Sequence, residues 1–355
     1  MQTPVAIIGS GLGDLVLASR CVSVRIVISF SSVPVSVWVG RLRCAHDTSA
    51  EASCTPALAA AAGASSQWSG AGQEPAFPAE SAGARSLIMR VERLSFTQLP
   101  EETRTAVGDR VGGGCPSVDM TTGESSGIAT LLFLPDGTRI FVKGLPDGHE
   151  RSGELDREAK VSSFLPEFAP KLLWCLSAGG WRLLGFEGVT ATPWADFTAE
   201  GNHLEPVAAT LRELSVRPAP GIGLMTAWDR WGPYCDPEDE PLLHGHQLLH
   251  TDPVATNFLI AADRVWLVDW AWAARGPGWI DAALWGFRLV LDGKQTPQQA
   301  QQWASTIPAF ATAPRQGVRV LTEAEARSWE DWKAYGAAGI DETAEAARLW
   351  ADFWA

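Results

Sequence analysis

The spacing of hydrophobic positions changes character at about residue 89. From Met89 onward, apolar runs alternate with turn residues and polar helical stretches in a regular order. "LPEETRTAVGDRVG" predicts a short helix, with Glu101 and Glu102 in its first turn where the helix dipole favours carboxylates. "IATLLFL" and "TRIFVKG" predict two strands joined by a turn at Pro135, Asp136 and Gly137. A helix carrying Glu154 and Glu158 follows, and then more β-like sequence as far as "GWRLLGFEGV". Further on, a short polar loop at 250–257 stands between two hydrophobic segments, the second being "FLI", and a strand-like "RVWLVDW" follows. The end of the chain, "TEAEARSWEDWKAYGAAGIDETAEAARLWADFWA", places Trp and Leu at near-helical spacing and predicts an α-helical lobe.

The first 88 residues follow another pattern. Residues 49–84 are Ala, Ser, Gly and Pro with few large apolar side chains, too little to offset the entropy of ordering, so a disordered linker is expected. "VAIIGSGLGDLVLASR" invites a dinucleotide-binding reading, but counting from Gly9 and Gly11 the sixth place of the fingerprint is Asp14, not Gly. The uncharged stretch between Arg25 and Arg41 falls short of the roughly 20 residues a spanning helix needs, and Pro34 interrupts it. No basic segment precedes the first apolar run, as a secretory signal requires. Residues 1–88 carry equal numbers of basic and acidic side chains, so the whole acidic excess lies in 89–355. The expectation is that 1–88 is a disordered extension or a translated upstream region, with Met89 as the true start.

Composition narrows the class. The chain has 355 residues, 46% hydrophobic and 19% charged, enough for two lobes with a good core. A formal charge of −13 argues against a partner bound through a phosphate backbone, and no nucleic-acid or membrane partner is expected. The six cysteines contain no CxxC pair, which argues against zinc and suits free thiols in a reducing, cytoplasmic compartment. His203, His244 and His246 read as loop residues. The acidic run Asp236, Glu238, Asp239 and Glu240 reads as a solvated loop that could also line a cleft for a cation. The tryptophans around "VWLVDWAWAARGPGWIDAALW" read as core and pocket wall.

The chemistry concentrates in "HTDPVATN", residues 250–257. His-x-Asp-x-x-x-x-Asn, followed by a strand leading to Asp269, is the spacing of a kinase catalytic loop and its metal-binding aspartate. In that pattern Asp252 accepts the proton of an attacking hydroxyl, Asn257 and Asp269 hold Mg²⁺, and His250 fixes the loop. The spacing alone arises by chance roughly once in a hundred chains of this length. The strand lysine Lys143 and the helix carboxylate Glu158 lie upstream in the order that a lysine–glutamate pair over nucleotide phosphates requires. "TTGESSG", with Ser125 and Ser126, offers backbone amides to phosphate oxygens, although it has no GxGxxG pattern.

"LLHTDPVATNFLI", "WLVDWAWAARGPGWIDAAL" and "GWRLLGFEGV" resemble the aminoglycoside phosphotransferase family, most closely its actinobacterial members. The resemblance runs from Met89 to the C-terminus. It implies an α+β, two-lobed protein-kinase-like fold: a small antiparallel lobe with one helix over 89–188, a hinge near 185–190, and a mainly helical lobe over 190–355. It further implies that Phe186, Glu187 and Val189 meet the purine through their backbone, and that Asp281 braces the catalytic loop through backbone amides. The implied activity is Mg²⁺-dependent transfer of phosphate from ATP or GTP to a hydroxyl of an antibiotic-like, amino-alcohol or sugar acceptor, with no obligate protein partner. Two departures stand out. Pro253, Val254, Ala255 and Thr256 replace the family's usual loop residues, and "WAWAARG" brings no carboxylate soon after Asp269. The first of them leaves open a pseudokinase that binds nucleotide and acts through a protein partner.

Overall fold

The computed structural model describes residues 24–30, 33–39, 91–120, 126–189, 193–262, 264–334 and 339–355, the first two segments as backbone alone. The Gly-rich segment at 5–20, the linker at 49–84 and Ser125 therefore lie outside the described residues. Strands β1 (Val24–Phe30) and β2 (Val33–Val39) form an antiparallel hairpin with Phe30 opposite Val33.

The chain from residue 91 builds two layers of different character. Helix α1 (Glu101–Val111) precedes a five-stranded sheet of β3 (Ser117–Asp119), β4 (Ile128–Phe133), β5 (Arg139–Pro146), β6 (Leu172–Ala178) and β7 (Trp181–Glu187). All neighbours are antiparallel, in the order β3-β4-β5-β7-β6. The β4–β5 hairpin closes at the Pro-Asp-Gly turn, where Gly137 takes φ 86°. Helix α2 (Ser152–Val161) follows β5.

Strand periodicity sorts the side chains of β5. Ile140 and Val142 join Ile128, Leu132 and Leu183 in the core beneath Val107 and Val111 of α1. Phe141 faces the opposite way and packs with Leu155 of α2 and with Leu184 and Phe186. Successive residues of a strand point to opposite faces, so Lys143 projects on the α2 side. Lys143 sits in the middle of β5, not near its end as the sequence suggested, because pairing with β7 continues through Pro146. Gly144 is required there: a Cβ would lie 2.3 Å from the carbonyl oxygen of Arg182 on β7.

The remainder is mainly helical: α3 (Leu204–Leu214), α4 (Ala227–Trp231), α5 (Ile280–Leu291), α6 (Pro297–Ala304), α7 (Pro308–Ala311), α8 (Arg315–Ala334) and α9 (Asp341–Trp354). Short strands support the loops between them. β8 (Met225–Thr226), β12 (Ala274–Gly276) and β9 (Gln247–Leu249) form one small sheet, and β10 (Phe258–Ile260) pairs with β11 (Val265–Leu267) in a hairpin. Trp231, Trp270, Trp285 and Trp350 are fully buried in the core of this lobe. The helical periodicity of the C-terminal segment thus resolves into α8 and α9. The acidic run at 236–240 lies in a 3₁₀ turn, Pro237–Leu243, where Glu240 pairs with His244. The fold is α+β, an antiparallel sheet lobe joined to a mainly helical one.

Candidate active site

Three charged groups from three elements meet between the layers. The Lys143 Nζ lies 2.5 Å from Glu158 Oε2 and donates to Asp269 Oδ1 at 2.9 Å. Lys143 and Glu158 are 6% and 3% exposed, so neither charge can be screened by water. Burial alone would push the Lys143 ammonium down, but Asp269 and Glu158 outweigh it and hold it above the usual lysine range. Burial pushes the Glu158 carboxyl up to about 7 against the pull of Lys143. Asp269 is also crowded by protein, yet Lys143, His250 and Arg151 keep its carboxyl below the ordinary aspartate value. The other Glu158 oxygen accepts from the Trp270 amide at 3.3 Å, so α2 touches the segment that carries Asp269. Glu154, the second carboxylate of the helix, is taken by Arg151 in a bidentate pair.

The 250–257 loop is held from several sides. Asp281, near the start of α5, accepts from the His250 amide at 2.9 Å and the Thr251 amide at 2.7 Å. The Asp252 amide donates to His250 Nδ1 at 3.3 Å, which leaves Nε2 protonated and donating to the Val268 carbonyl at 2.9 Å. Thr251 has φ 66°, rare for a β-branched residue. Its hydroxyl donates to the Trp272 carbonyl and accepts from Arg230, and together with the amide bond to Asp281 this keeps the conformation in place. The unusual stretch 253–256 closes compactly: the Val254 amide bonds the Asp252 carbonyl, and the Asn257 amide bonds the Val254 carbonyl.

Asp281→Ala would orphan two buried amide donors, each costing about 1–3 kcal/mol. We expect a loss of roughly 3 kcal/mol in urea unfolding, with Asp281→Asn recovering about half by keeping one acceptor. An unchanged midpoint in the alanine variant would contradict this bracing.

Asn257 donates through Nδ2 to the backbone and side-chain oxygens of Asp252, at 2.9 and 3.2 Å, which turns its amide oxygen the other way. The Val268 amide bonds the Asn257 carbonyl, so Asn257 and Asp269 stand at the open end of the β10–β11 hairpin. Asp269 takes φ 64° and its side chain stays 32% exposed. An amide oxygen and a carboxylate are hard donors of the type Mg²⁺ selects, and Mg²⁺ completes its shell with water and phosphate. Among the described residues no cluster of three His, Cys, Asp or Glu could hold a metal by itself.

No protein-family model matches the sequence, and no curated protein matches it. Solved structures do match. Choline kinase LicA from Streptococcus pneumoniae is 15% identical, with a TM-score of 0.50 over 70% of this chain and 99% of that one. The chain has the choline-kinase-like fold. Weaker likenesses include a thermostable mutant of aminoglycoside phosphotransferase APH(4)-Ia, 15% identical with a TM-score of 0.49 over 70% of this chain and 97% of that one. Another is macrolide 2'-phosphotransferase MphH from Brachybacterium faecium, 18% identical with a TM-score of 0.42 over 68% and 96%.

Within this choline-kinase-like fold the remaining sequence candidates are spread more widely. Phe186 and Glu187 still belong to β7, and the ring of Phe186 lies 5.9 Å from the Lys143 ammonium. The amides of Glu187 and Gly188 bond the carbonyls of Lys171 and Arg139, and half-buried Val189 comes next. Ser126 is buried at the start of β4, with its carbonyl oxygen bound by Arg93.

Residues that sequence reasoning passed over also lie here. Arg288 on α5 approaches Asp252 Oδ1 at 3.5 Å and stacks against Phe287 and Trp329. Asp292 stands near both, and the surrounding protein pushes its carboxyl above the ordinary range despite Arg288. Arg288 falls seven residues after Asp281, on the same helix face, and that spacing was the signal available.

Proposed function

We propose that this protein is a small-molecule kinase that transfers the γ-phosphoryl group of ATP or GTP to a hydroxyl of an antibiotic-like, amino-alcohol or sugar acceptor. The observation that carries the reading is the convergence of Lys143, Glu158 and Asp269 beside the Asp252–Asn257 loop. The fold supports it, since choline kinase is named for phosphorylating a small alcohol. Residues 89–188 form the small lobe in this reading, 185–190 the hinge that meets the purine through Phe186, Glu187 and Val189, and 190–355 the large lobe. Ser126, just before β4, offers its backbone amide to the phosphates in this reading.

Lys143, oriented by Glu158, binds the α- and β-phosphates. Asn257 and Asp269 would hold Mg²⁺, which neutralises phosphate charge when bound. Asp252 orients the acceptor hydroxyl and takes its proton as the new P–O bond forms and the bond to the nucleoside diphosphate breaks. His250 and Asp281 act through the loop, as positioning residues. The transition state is loose, so pre-arranged charge and geometry matter more than a strong base. Cys115 and Cys235 carry free thiols, in keeping with a cytoplasmic location, and among the described residues no helix is long and apolar enough to cross a membrane.

The test is calorimetric titration of the full chain with Mg-ATP and Mg-GTP, beside Asp269→Ala. Metal-dependent binding of one nucleotide, weakened by at least roughly tenfold in the variant, is expected. Failure of well-folded wild-type protein to bind either nucleotide would refute the proposal.

A further inference from the structure

Behind the catalytic loop, on the side of Thr251, two arginines converge on one indole. The guanidinium carbons of Arg157 and Arg230 lie 5.5 and 5.2 Å from the ring centre of Trp272, and Arg230 also covers Trp231 at 4.9 Å. Arg157 comes from α2 and donates to the Ala271 carbonyl. Arg230 comes from α4 and donates to the Thr251 hydroxyl at 2.6 Å. Both are half-buried, as is Trp272.

Among the described residues no carboxylate forms an ion pair with either arginine. The nearby acids are already engaged: Glu154 by Arg151, Glu158 by Lys143, and Asp281 by the His250 and Thr251 amides. Each fork has one hydrogen bond to a neutral oxygen, although a guanidinium carries five N–H donors. Burial, and then repulsion from Arg230, hold Arg157 below its ordinary value despite Glu154. Glu154 attracts Arg157 and Asp281 attracts Arg230 without bonding them, so most N–H donors of two half-buried guanidiniums have no hydrogen-bond partner among the described residues.

We propose that Arg157 and Arg230, stacked on Trp272, form a binding site for a phosphate-type oxyanion, distinct from the nucleotide site at Lys143. A phosphomonoester or inorganic phosphate has the matching chemistry. It brings nearly two negative charges and several acceptor oxygens to two donor forks, where a monocarboxylate would leave one positive charge unmatched. The occupied site would join α2, which carries Glu158, to Thr251 beside Asp252, and so tie the two halves of the active site together. This inference stands apart from the kinase reading, because neither arginine has a part in the proposed phosphoryl transfer.

Calorimetric titration of the full chain with inorganic phosphate, and separately with glycerol phosphate, at constant ionic strength and without nucleotide tests it. Saturable binding of inorganic phosphate is expected, lost in Arg157→Gln and in Arg230→Gln but retained in Lys143→Met. Glycerol phosphate binding the same arginines would identify phosphomonoesters as occupants, and inorganic phosphate alone would limit the site to the free ion. Arg157→Lys and Arg230→Lys keep the charge beside the indole while losing the planar fork, so they cover the case in which a glutamine variant fails to fold. Each should bind phosphate about tenfold more weakly. Absence of saturable binding by wild type, survival of binding in both glutamine variants, unchanged affinity in the lysine variants, or loss of binding in Lys143→Met shown by its urea midpoint to be folded at the pH of the titration would each overturn the site. The last result would place phosphate at the nucleotide site.

Discussion

Asp252→Ala is expected to lower phosphate transfer to a hydroxyl acceptor by about 10²–10⁴-fold while leaving Mg-nucleotide affinity nearly unchanged. The two effects separate because of how the loop is wired. Asn257 is held by the backbone carbonyl of residue 252 as well as by its carboxylate, and the carbonyl remains in the variant. Asp269 owes its placement to Lys143 and the β10–β11 hairpin, not to Asp252. The substitution therefore removes the proton acceptor and the partner of Arg288 but leaves the groups assigned to nucleotide and metal in place. Nucleotide affinity is read by calorimetry, and turnover by release of nucleoside diphosphate in the presence of hydroxyl acceptors. Equal turnover by variant and wild type would remove Asp252 from the chemistry. A wild type that binds Mg-nucleotide but phosphorylates no hydroxyl compound would favour the pseudokinase alternative, in which the protein acts through a partner.

The parts of this arrangement that depend on local pattern were legible in the sequence. Alternation in "TRIFVKG" puts Val142 and Lys143 on opposite faces of β5, and the spacing of Glu154 and Glu158 puts both on one side of α2. The sequence reading paired Glu158 with the lysine, and the structure shows why Glu154 is not its partner: Arg151 captures it through a contact that the turn leading into the helix creates. The loop spacing was equally plain. The irregular "PVAT" stretch looked like a defect but closes through two backbone bonds that any residue could make, so side-chain identity there carried little information.

What remained hidden is tertiary. Arg157 lies on a helix whose local sequence reads as ordinary solvated surface, and Arg230 and Arg288 are single basic residues in the apolar stretches "AWDRW" and "IDAALWGFRLVL". Each gains meaning only when a distant segment folds against it: Trp272 for the first two, Asp252 and Trp329 for the third. A run such as "WAWAARG" signals burial by its tryptophans but gives no hint that one indole supports two guanidiniums. The formal charge of −13 argued only against a partner bound through a phosphate backbone, since a whole-chain sum says little about the local field at a pair of arginines.

Lys143→Met should destabilise the protein in a strongly pH-dependent way. Methionine fills most of the lysine's volume, so packing changes little, but Glu158 is left buried beside Asp269 with no counter-charge. Burial already raises the Glu158 carboxyl to about 7 with the ammonium present, and Lys143 is the largest influence opposing that rise. Without it the folded-state pKa climbs further, and the two carboxylates come to share a proton. The sign follows from proton counts. Between the ordinary glutamate value and the raised folded value, the folded protein binds more protons than the unfolded chain, so stability falls as pH rises through that window. Relative to wild type, whose Glu158 carboxyl is already raised to about 7, the variant's deficit should stay flat from pH 5 to about pH 7 and then grow, by about 1.4 kcal/mol at pH 8. Urea unfolding at several pH values between these limits reads it directly. A deficit that stays constant across the range would mean that Glu158 keeps its charge without the lysine, and that the ion pair is not the reason this glutamate can be buried on α2.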